Sequence, residues 1–245
     1  MDLIVIQYLV LVPVTLATSI ITLFTGFGVG TIMMPVMALF FDVKVAIFLA
    51  AIVHFFNNVS RLALYRSEIN WQIIKRFGVV SIIGAFVGSF AQIYLDSNWL
   101  KTGVGLFLVI YSILTLSPGK VNLQLPRSID FIGGFLSGLV GGLIGNQGAI
   151  RSVYLLRYGL QKQELVVSAA LIAVIIDSTR IPVYAYSNFQ YLQDNILLLS
   201  TVVASAILGT VVGSRLLPKV SYDLFKRIIL IGVLILGTLM MFRII

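Results

Sequence analysis

The sequence predicts an all-α polytopic membrane protein built from two repeats in inverted topology. Three observations lead to this prediction: the composition, a series of apolar stretches, and a match between the two halves of the chain. Hydrophobic residues make up 59% of the 245 residues, charged residues make up 11%, and mean hydropathy is +1.06. Soluble domains carry about 25% charged residues, so a surface of this composition suits lipid and not water.

Ten apolar stretches follow one another, separated by charged, Gly or Pro clusters. A helix needs about 20 apolar residues to cross a hydrocarbon core of about 30 Å. We expect helices, because long continuous runs lack the alternation of barrel strands and helices satisfy their own backbone in lipid. The second, sixth and seventh stretches are too short to span and are predicted to be broken or re-entrant helices, which leaves eight or ten crossings open. The stretches are 3–24, 31–41, 45–65, 72–95, 99–117, 131–144, 149–160, 164–186, 194–217 and 223–242.

The two halves match at an offset of 119 residues, which indicates an internal repeat. Asn58-Val-Ser-Arg61 then aligns with Asp177-Ser-Thr-Arg180. The matches keep their order over most of each half, so we expect about five segments per repeat. The predicted division is a first membrane repeat (1–117), a cytoplasmic linker (118–128) and a second membrane repeat (129–245).

Two glycine pairs also correspond between the halves. Gly84 and Gly88 align with Gly209 and Gly213 at an offset of 125 residues. Small residues four positions apart let helix backbones approach closely in a membrane. The pairs suit packing within one protomer or between the protomers of a homo-oligomer.

The distribution of basic residues predicts that the repeats are inverted. Three basic residues closely follow stretch 45–65, whereas the corresponding segment 187–193 has none. The next loop reverses this pattern, since 96–98 has no Lys or Arg and 215–227 has four. By the positive-inside rule, equivalent loops then lie on opposite sides of the membrane and the basic linker is cytoplasmic. Inverted repeats are typical of secondary transporters.

The composition also excludes several functions. The chain has no Cys, one His and nine acidic residues, so we expect no metal site, no cofactor and no catalytic residues, and the protein is not predicted to be an enzyme. The net charge of +8 lies between or inside apolar stretches, where the lipid bilayer and a small anionic substrate are the expected partners and nucleic acid is not. Residues 3–24 lack signal-peptide features and are expected to be a retained span.

Two Gly-rich breaks, 26–30 and 145–148, interrupt apolar stretches at matching positions, and each precedes a short stretch. Glycine permits unusual backbone conformations, and freed N–H groups at a helix N-terminus attract anions. Short segments at matching positions of two halves are a pointer to a transporter site. The alternative is that the glycines only make tight turns or close packing. The predicted substrate-binding residues here are Gly28, Gly30, Asn146, Gln147 and Gly148.

Polar side chains share one face of the helix predicted over 45–65. His54, Asn58 and Arg61 are spaced by four and three residues, and Asp177 and Arg180 take the same face in the second half. A charge in the bilayer interior costs at least about 2.5 kcal/mol, so it usually faces a cavity or a partner. Asn58, Arg61, Asp177 and Arg180 are therefore predicted to bind substrate. The alternatives are that Arg61 reaches the lipid interface and that Asp177 only pairs with Arg180.

The remaining predictions concern Arg151, proton transfer by His54 and Asp177, and Pro182. Arg151 follows Gly148 by three residues, and its guanidinium suits oxyanions, so we predict that it binds substrate. His54 and Asp177 are candidate proton carriers, because an unperturbed His titrates near neutral pH; the alternative is a simple hydrogen bond in the bundle. Pro182 is predicted to break its helix just beyond Arg180.

The stretches Thr25-Gly-Phe-Gly-Val-Gly-Thr-Ile-Met-Met-Pro35 and 134–148 resemble the glycine patterns of the sulfite exporter TauE/SafE family, and the resemblance covers nearly the whole chain. It implies a multi-pass protein of the bacterial inner membrane. It also implies a secondary transporter that exports a small anion such as sulfite or an organosulfonate, with alternating access around the two breaks. The chain departs from the family pattern at Asn146 and Gln147, where small residues are common. The alternatives are an anion channel and a non-transporting membrane scaffold subunit.

Overall fold

A computed structural model of the chain describes residues 2–22, 29–117, 129–156, 158–216 and 222–245. These residues are almost entirely helical and contain no strand, which confirms the all-α prediction. The predictions for Gly28 and for the linker at 118–128 lie outside the described residues.

Ten helices cover the described residues when Trp71–Tyr94, which contains one π turn at Ile74–Gly78, is counted as one helix. Each predicted apolar stretch overlaps one of them, whereas their grouping into two repeats of five stays a prediction. The helices are α1 (Leu3–Thr22), α2 (Val29–Met37), α3 (Val43–Tyr65), α4 (Trp71–Tyr94), α5 (Ser97–Leu116), α6 (Asp130–Ile144), α7 (Gly148–Leu156), α8 (Lys162–Asp194), α9 (Ile196–Leu216) and α10 (Tyr222–Met241).

The helices differ in their capacity to cross a membrane. Six of those described (α1, α3, α4, α5, α8 and α9) are long and apolar enough to do so, which makes the chain a multi-pass membrane protein. Helices α2 and α7 have nine residues each. At 1.5 Å per residue they are about 14 Å long, less than half of the hydrocarbon core. The prediction of a short helix after the second break is therefore confirmed, whereas most of the first break lies outside the described residues.

The prediction that Pro182 breaks its helix was wrong. Helix α8 continues through Pro182 and is kinked six residues later at Asn188, whose φ of −126° and ψ of 17° are not helical; a last helical segment follows to Asp194. A proline removes a single backbone hydrogen bond, which a membrane helix packed among neighbours tolerates. The kink lies close to the end of the predicted stretch 164–186, and only the segment after it extends beyond that stretch.

Helix ends gather at two ends of the bundle. At the first, here called the Asp42 end, Ser97 Oγ donates to Asp42 Oδ1 at 3.2 Å, and Arg243 Nε donates to Thr102 Oγ1 at 3.0 Å. The start of α3, the start of α5 and the end of α10 therefore lie together.

The other end is here called the Asn70 end. Asn70 precedes α4, and its Nδ2 donates to Glu164 Oε1 at 2.7 Å, in the first turn of α8. Its backbone N–H also donates to Ser168 Oγ at 3.0 Å. Helix α3 therefore runs from the Asp42 end to the Asn70 end, and α8 runs in the opposite direction.

Helices α4 and α6 pack in parallel with almost no space between their backbones. A Cβ atom on Gly84 would lie 2.1 Å from the Phe135 carbonyl oxygen, and one on Gly88 would lie 2.2 Å from that of Leu139. Three glycines of α6 make the same kind of contact with carbonyl oxygens of α4 at 2.1–2.4 Å: Gly134, Gly138 and Gly142.

Helices α1 and α9 also pack in parallel. A Cβ atom on Gly209 would lie 2.7 Å from the Leu16 carbonyl oxygen, and one on Gly213 would lie 2.9 Å from that of Ile20. Both predicted glycine pairs thus serve contacts inside one protomer, so they give no signal for a homo-oligomer. Helices α3 and α8 pack against each other between these two helix pairs, and more of α3 is buried than of any other predicted span.

Candidate functional site

The N-termini of the two short helices lie in the interior of the bundle. Thr31 Oγ1, in the first turn of α2, lies 3.0 Å from Asn146 Oδ1, just before α7. A Cβ atom on Gly30 would lie 3.4 Å from the His54 ring. From this point α2 runs towards the Asp42 end, and α7 runs towards the Asn70 end.

The break between α6 and α7 is built on a left-handed glycine. Helix α6 ends at Ile144, Gly145 has φ 79° and ψ 0°, and α7 begins at Gly148. Glycine adopts this conformation without steric cost and commonly terminates helices. The predicted break at 145–148 is therefore confirmed, and it places Asn146 and Gln147 between two helices with both side chains buried.

Asp177 is the centre of a buried hydrogen-bond network. Its Oδ2 lies 2.7 Å from His54 Nδ1, and its Oδ1 accepts from Arg180 Nε at 2.9 Å and from Gln147 Nε2 at 3.3 Å. All four side chains are at most 3% exposed. Because an ionised carboxylate only accepts, the His54 Nδ1 atom carries the proton in this contact. The network joins α3, the break between α6 and α7, and α8 through a single acidic group.

Arg180 is fully engaged with protein partners. Its Nη2 lies 2.8 Å from Asp177 Oδ1, and its Nη1 donates to the Gly141 carbonyl oxygen at 2.6 Å. One turn along α8, Tyr184 Oη donates to the Gly142 carbonyl oxygen. These carbonyls belong to the last turn of α6, where a positive charge is favourable. The geometry therefore favours the pairing alternative for Asp177 and Arg180, and Arg180 fixes α8 to α6.

Arg61 and Arg151 differ from Arg180 because part of each guanidinium has no partner. Arg61 Nη2 donates to Thr22 Oγ1 at 3.0 Å, but among the described residues no group accepts from Arg61 Nε or from Nε and Nη1 of Arg151. Arg61 is 5% exposed and Arg151 is 2% exposed. Burial of this degree argues against the alternative in which Arg61 reaches the lipid interface.

Electrostatic interactions connect these arginines to the network. Arg151 interacts with Asp177 and Arg180, and Arg61 interacts with Arg151. The interior thus holds three guanidinium groups and one carboxylate, which interacts with Arg151 and Arg180. Burying an excess of charge is costly unless a partner compensates it, and an anion beside the two helix N-termini would do so.

The remaining predicted residues have different roles in the structure. Asn58 is buried, but its Nδ2 donates to the His54 carbonyl oxygen of its own helix at 2.7 Å. The structure therefore does not direct the Asn58 donor towards the arginines. Gly148 provides the first residue of α7, and Gly28 lies outside the described residues.

Sequence reasoning missed the hydroxyl groups that flank the breaks. Thr22 holds Arg61, Thr31 contacts Asn146, and Ser137 Oγ donates to the Gln147 carbonyl oxygen at 3.2 Å. A usable signal existed, because Thr22 and Thr31 stand on either side of the first Gly-rich break. In the described part of the chain, no group of three His, Cys, Asp or Glu side chains is arranged to hold a metal ion.

Comparison with known proteins gives one match. Residues 11–240 match the family model described as Sulfite exporter TauE/SafE. No match was found among curated proteins or among solved structures. The matched range covers both breaks and every residue of the buried network.

Proposed function

The chain belongs to the sulfite exporter TauE/SafE family, and from that premise we propose that it is a secondary transporter, an exporter of a small anion such as sulfite or an organosulfonate, in the bacterial inner membrane. The family is one of membrane transporters, which agrees with the multi-pass helical fold. The proposal adds the substrate, the direction, the site and the mechanism.

The observation that supports an anion site most directly is the pair of incompletely bonded arginines. Arg61 and Arg151 are buried, and three of their nitrogen atoms lack acceptors in the described part of the chain. Leaving a buried charge unpaired costs several kcal/mol, so such groups persist where a ligand pairs with them. The N-termini of α2 and α7 add backbone N–H groups, which carry partial positive charge and also attract anions.

We propose further that the two halves are inverted repeats that rock around this site. Helices α3 and α8 correspond at the repeat offset and run in opposite directions. The contact of α4 with α6 corresponds to that of α9 with α1, as expected when equivalent helices exchange partners across a pseudo-two-fold axis. Transporters with such repeats bind substrate near the bilayer midplane, at broken helices between the halves.

We assign the Asn70 end to the cytoplasm. Three exposed basic residues, Arg66, Lys75 and Arg76, lie there on the α3–α4 connection or in the first turns of α4. Positive charges next to membrane helices are enriched on the cytoplasmic side.

Both His54 and Asp177 stay candidates for proton coupling, because their contact joins the two halves.

The test is counterflow of labelled sulfite in proteoliposomes, comparing the wild type with Arg151→Met. Methionine keeps much of the side-chain volume and removes the charge. Saturable exchange in the wild type and its loss in Arg151→Met would support the site. Flux that rises linearly with concentration would indicate a channel, and absence of flux for every small anion tested would indicate a scaffold subunit.

Folding of the variant is checked in the same preparations. Arg151→Met removes an unpaired buried charge, so the ligand-free protein should unfold at the same or a higher temperature than the wild type. Arg66→Met is the matched control, because Arg66 is exposed at the end of α3 and should leave exchange unchanged. Wild-type exchange in Arg151→Met would contradict the assigned site.

A further inference from the structure

We infer that the substrate is bound with two negative charges, one compensating Arg61 and one compensating Arg151, so that the site selects divalent oxyanions over monovalent anions of similar shape. The inference rests on the proposed function and narrows its substrate class. It follows from counting the charges that the protein buries and the acids that are able to neutralise them.

The side chains of Arg180 and Asp177 form a bonded pair at 2.8 and 2.9 Å, so one positive and one negative charge cancel within α8. Counted as a neutral imidazole that donates to Asp177, His54 adds no charge. Among the side chains that the structure describes, the buried cations that remain are Arg61 and Arg151, with a combined charge of +2.

No other acidic side chain that the structure describes reaches these two arginines. The side chain of Asp130 is buried, but it accepts from Tyr158 near the Asn70 end. Segment 23–28, which connects α1 to α2, contains no Asp or Glu. The side chain of Asp223 lies outside the described residues. The other acids are exposed or bonded elsewhere: Asp2, Asp42, Glu68, Asp96, Glu164 and Asp194.

The two arginines also offer several N–H donors that have no acceptor among the described residues. Arg61 Nε and the Nε and Nη1 atoms of Arg151 form a set of three unpartnered N–H donors on two different helices. The two guanidinium groups also interact electrostatically with each other, and this interaction is repulsive. A monovalent anion would leave one of the charges uncompensated, whereas a divalent oxyanion offers two charges and several acceptor oxygens.

The experiment measures thermal stabilisation and binding by the detergent-purified wild type with matched anions at constant ionic strength. Methanesulfonate has a methyl group in place of one oxygen of sulfate. Sulfate carries a charge of −2 and methanesulfonate a charge of −1. Sulfoacetate and 2-hydroxyethanesulfonate form a second pair of similar size. We expect the divalent member of each pair to bind at least about tenfold more tightly, as loss of one charge-assisted interaction predicts.

Variants test the assignment of each charge. Arg61→Gln and Arg151→Gln should each weaken binding of the divalent anion by about tenfold to a hundredfold and reduce the preference over the monovalent partner. Arg66→Gln, exposed on the same helix end as Arg61, should change neither. The comparison of matched anions uses only the wild type, so its result does not depend on whether a variant folds.

The two proposals fail in different ways. Equal binding of both members of each pair would overturn the divalent assignment and leave the anion transporter intact. No stabilisation by any of the four anions, in protein that is folded and monodisperse, would overturn the anion site itself. Preference for the monovalent members would contradict the charge count directly.

Discussion

The contact between α4 and α6 and the contact between α1 and α9 each join the two halves of the chain at corresponding positions, but they are built differently. Glycines of both helices form the first contact, and an added Cβ atom would lie 2.1–2.4 Å from a backbone oxygen. In the second contact, α9 supplies glycines and α1 supplies Thr15 and Ser19, at the positions that Gly134 and Gly138 take in α6. The distances there are 2.7 and 2.9 Å, so side chains separate the backbones.

The neighbouring residue on the central helix differs in the same way. Asn57 on α3 donates to Thr210 Oγ1 of α9 at 2.7 Å and to the Ala206 carbonyl oxygen at 3.3 Å. The corresponding residues beside α4 and α6 are Ile176 and Ala85, both in an apolar core. The contact between α4 and α6 is therefore made by backbones, and the contact between α1 and α9 is made with the help of polar side chains. We expect the contact between α4 and α6 to resist deformation and the contact between α1 and α9 to adjust more easily.

The largest expected effect is on the glycine contact. Gly138→Leu places a side chain where a Cβ atom alone would lie 2.1 Å from the Ser81 carbonyl oxygen. The two helices must separate, and overpacking of this kind should cost more than about 3 kcal/mol. Unfolding of the purified variant in mixed micelles measures the loss. Gly103→Leu, where nothing lies within 4 Å of the added atom, is the control and should be nearly neutral.

A smaller effect is expected at the other contact. Gly213→Ala brings a Cβ atom to 2.9 Å from the Ile20 carbonyl oxygen, which a small shift of α1 would relieve. We expect a loss of about 1 kcal/mol, clearly below that of Gly138→Ala in the same assay. Equal losses for the two alanine variants would remove the distinction between a rigid and an adjustable contact.

The smallest effect is expected from the polar side chains. Asn57→Ile and Thr210→Ala convert two residues to those of the other half. Interhelical hydrogen bonds in membranes contribute about 0.6 kcal/mol on average, so a double-mutant cycle should give a coupling energy of that size. A coupling energy near zero would mean that the bond between Asn57 and Thr210 does not hold the helices together.

The sequence predicted much of the fold, because membrane helices are encoded by local composition. The apolar stretches, the glycine pairs and the break at Gly145 were all visible as runs or spacings. The break predicted at Pro182 was wrong, because packing against neighbouring helices holds the helix together across the proline, and the helix is kinked at Asn188 instead.

The site was predicted residue by residue but not as an arrangement. Helical spacing placed His54 and Arg61 on one face, and Asp177 on the equivalent face of the other half. The contact of His54 with Asp177 joins residues 123 positions apart, and it depends on how α3 packs against α8. For the same reason, sequence alone could not separate Arg180, which is bonded to protein, from Arg151, whose Nε and Nη1 atoms have no acceptor among the described residues.

The shortness of α2 and α7 has an electrical consequence. Because each helix is about 14 Å long and begins in the interior, an anion at their N-termini lies roughly halfway through the membrane potential. Moving one charge through the whole potential changes the free energy by about 2.3 kcal/mol per 100 mV, so a divalent anion at half depth experiences about that amount. Occupancy of the site from either side should therefore depend on voltage, and the cell's own membrane potential would favour outward movement of the bound anion.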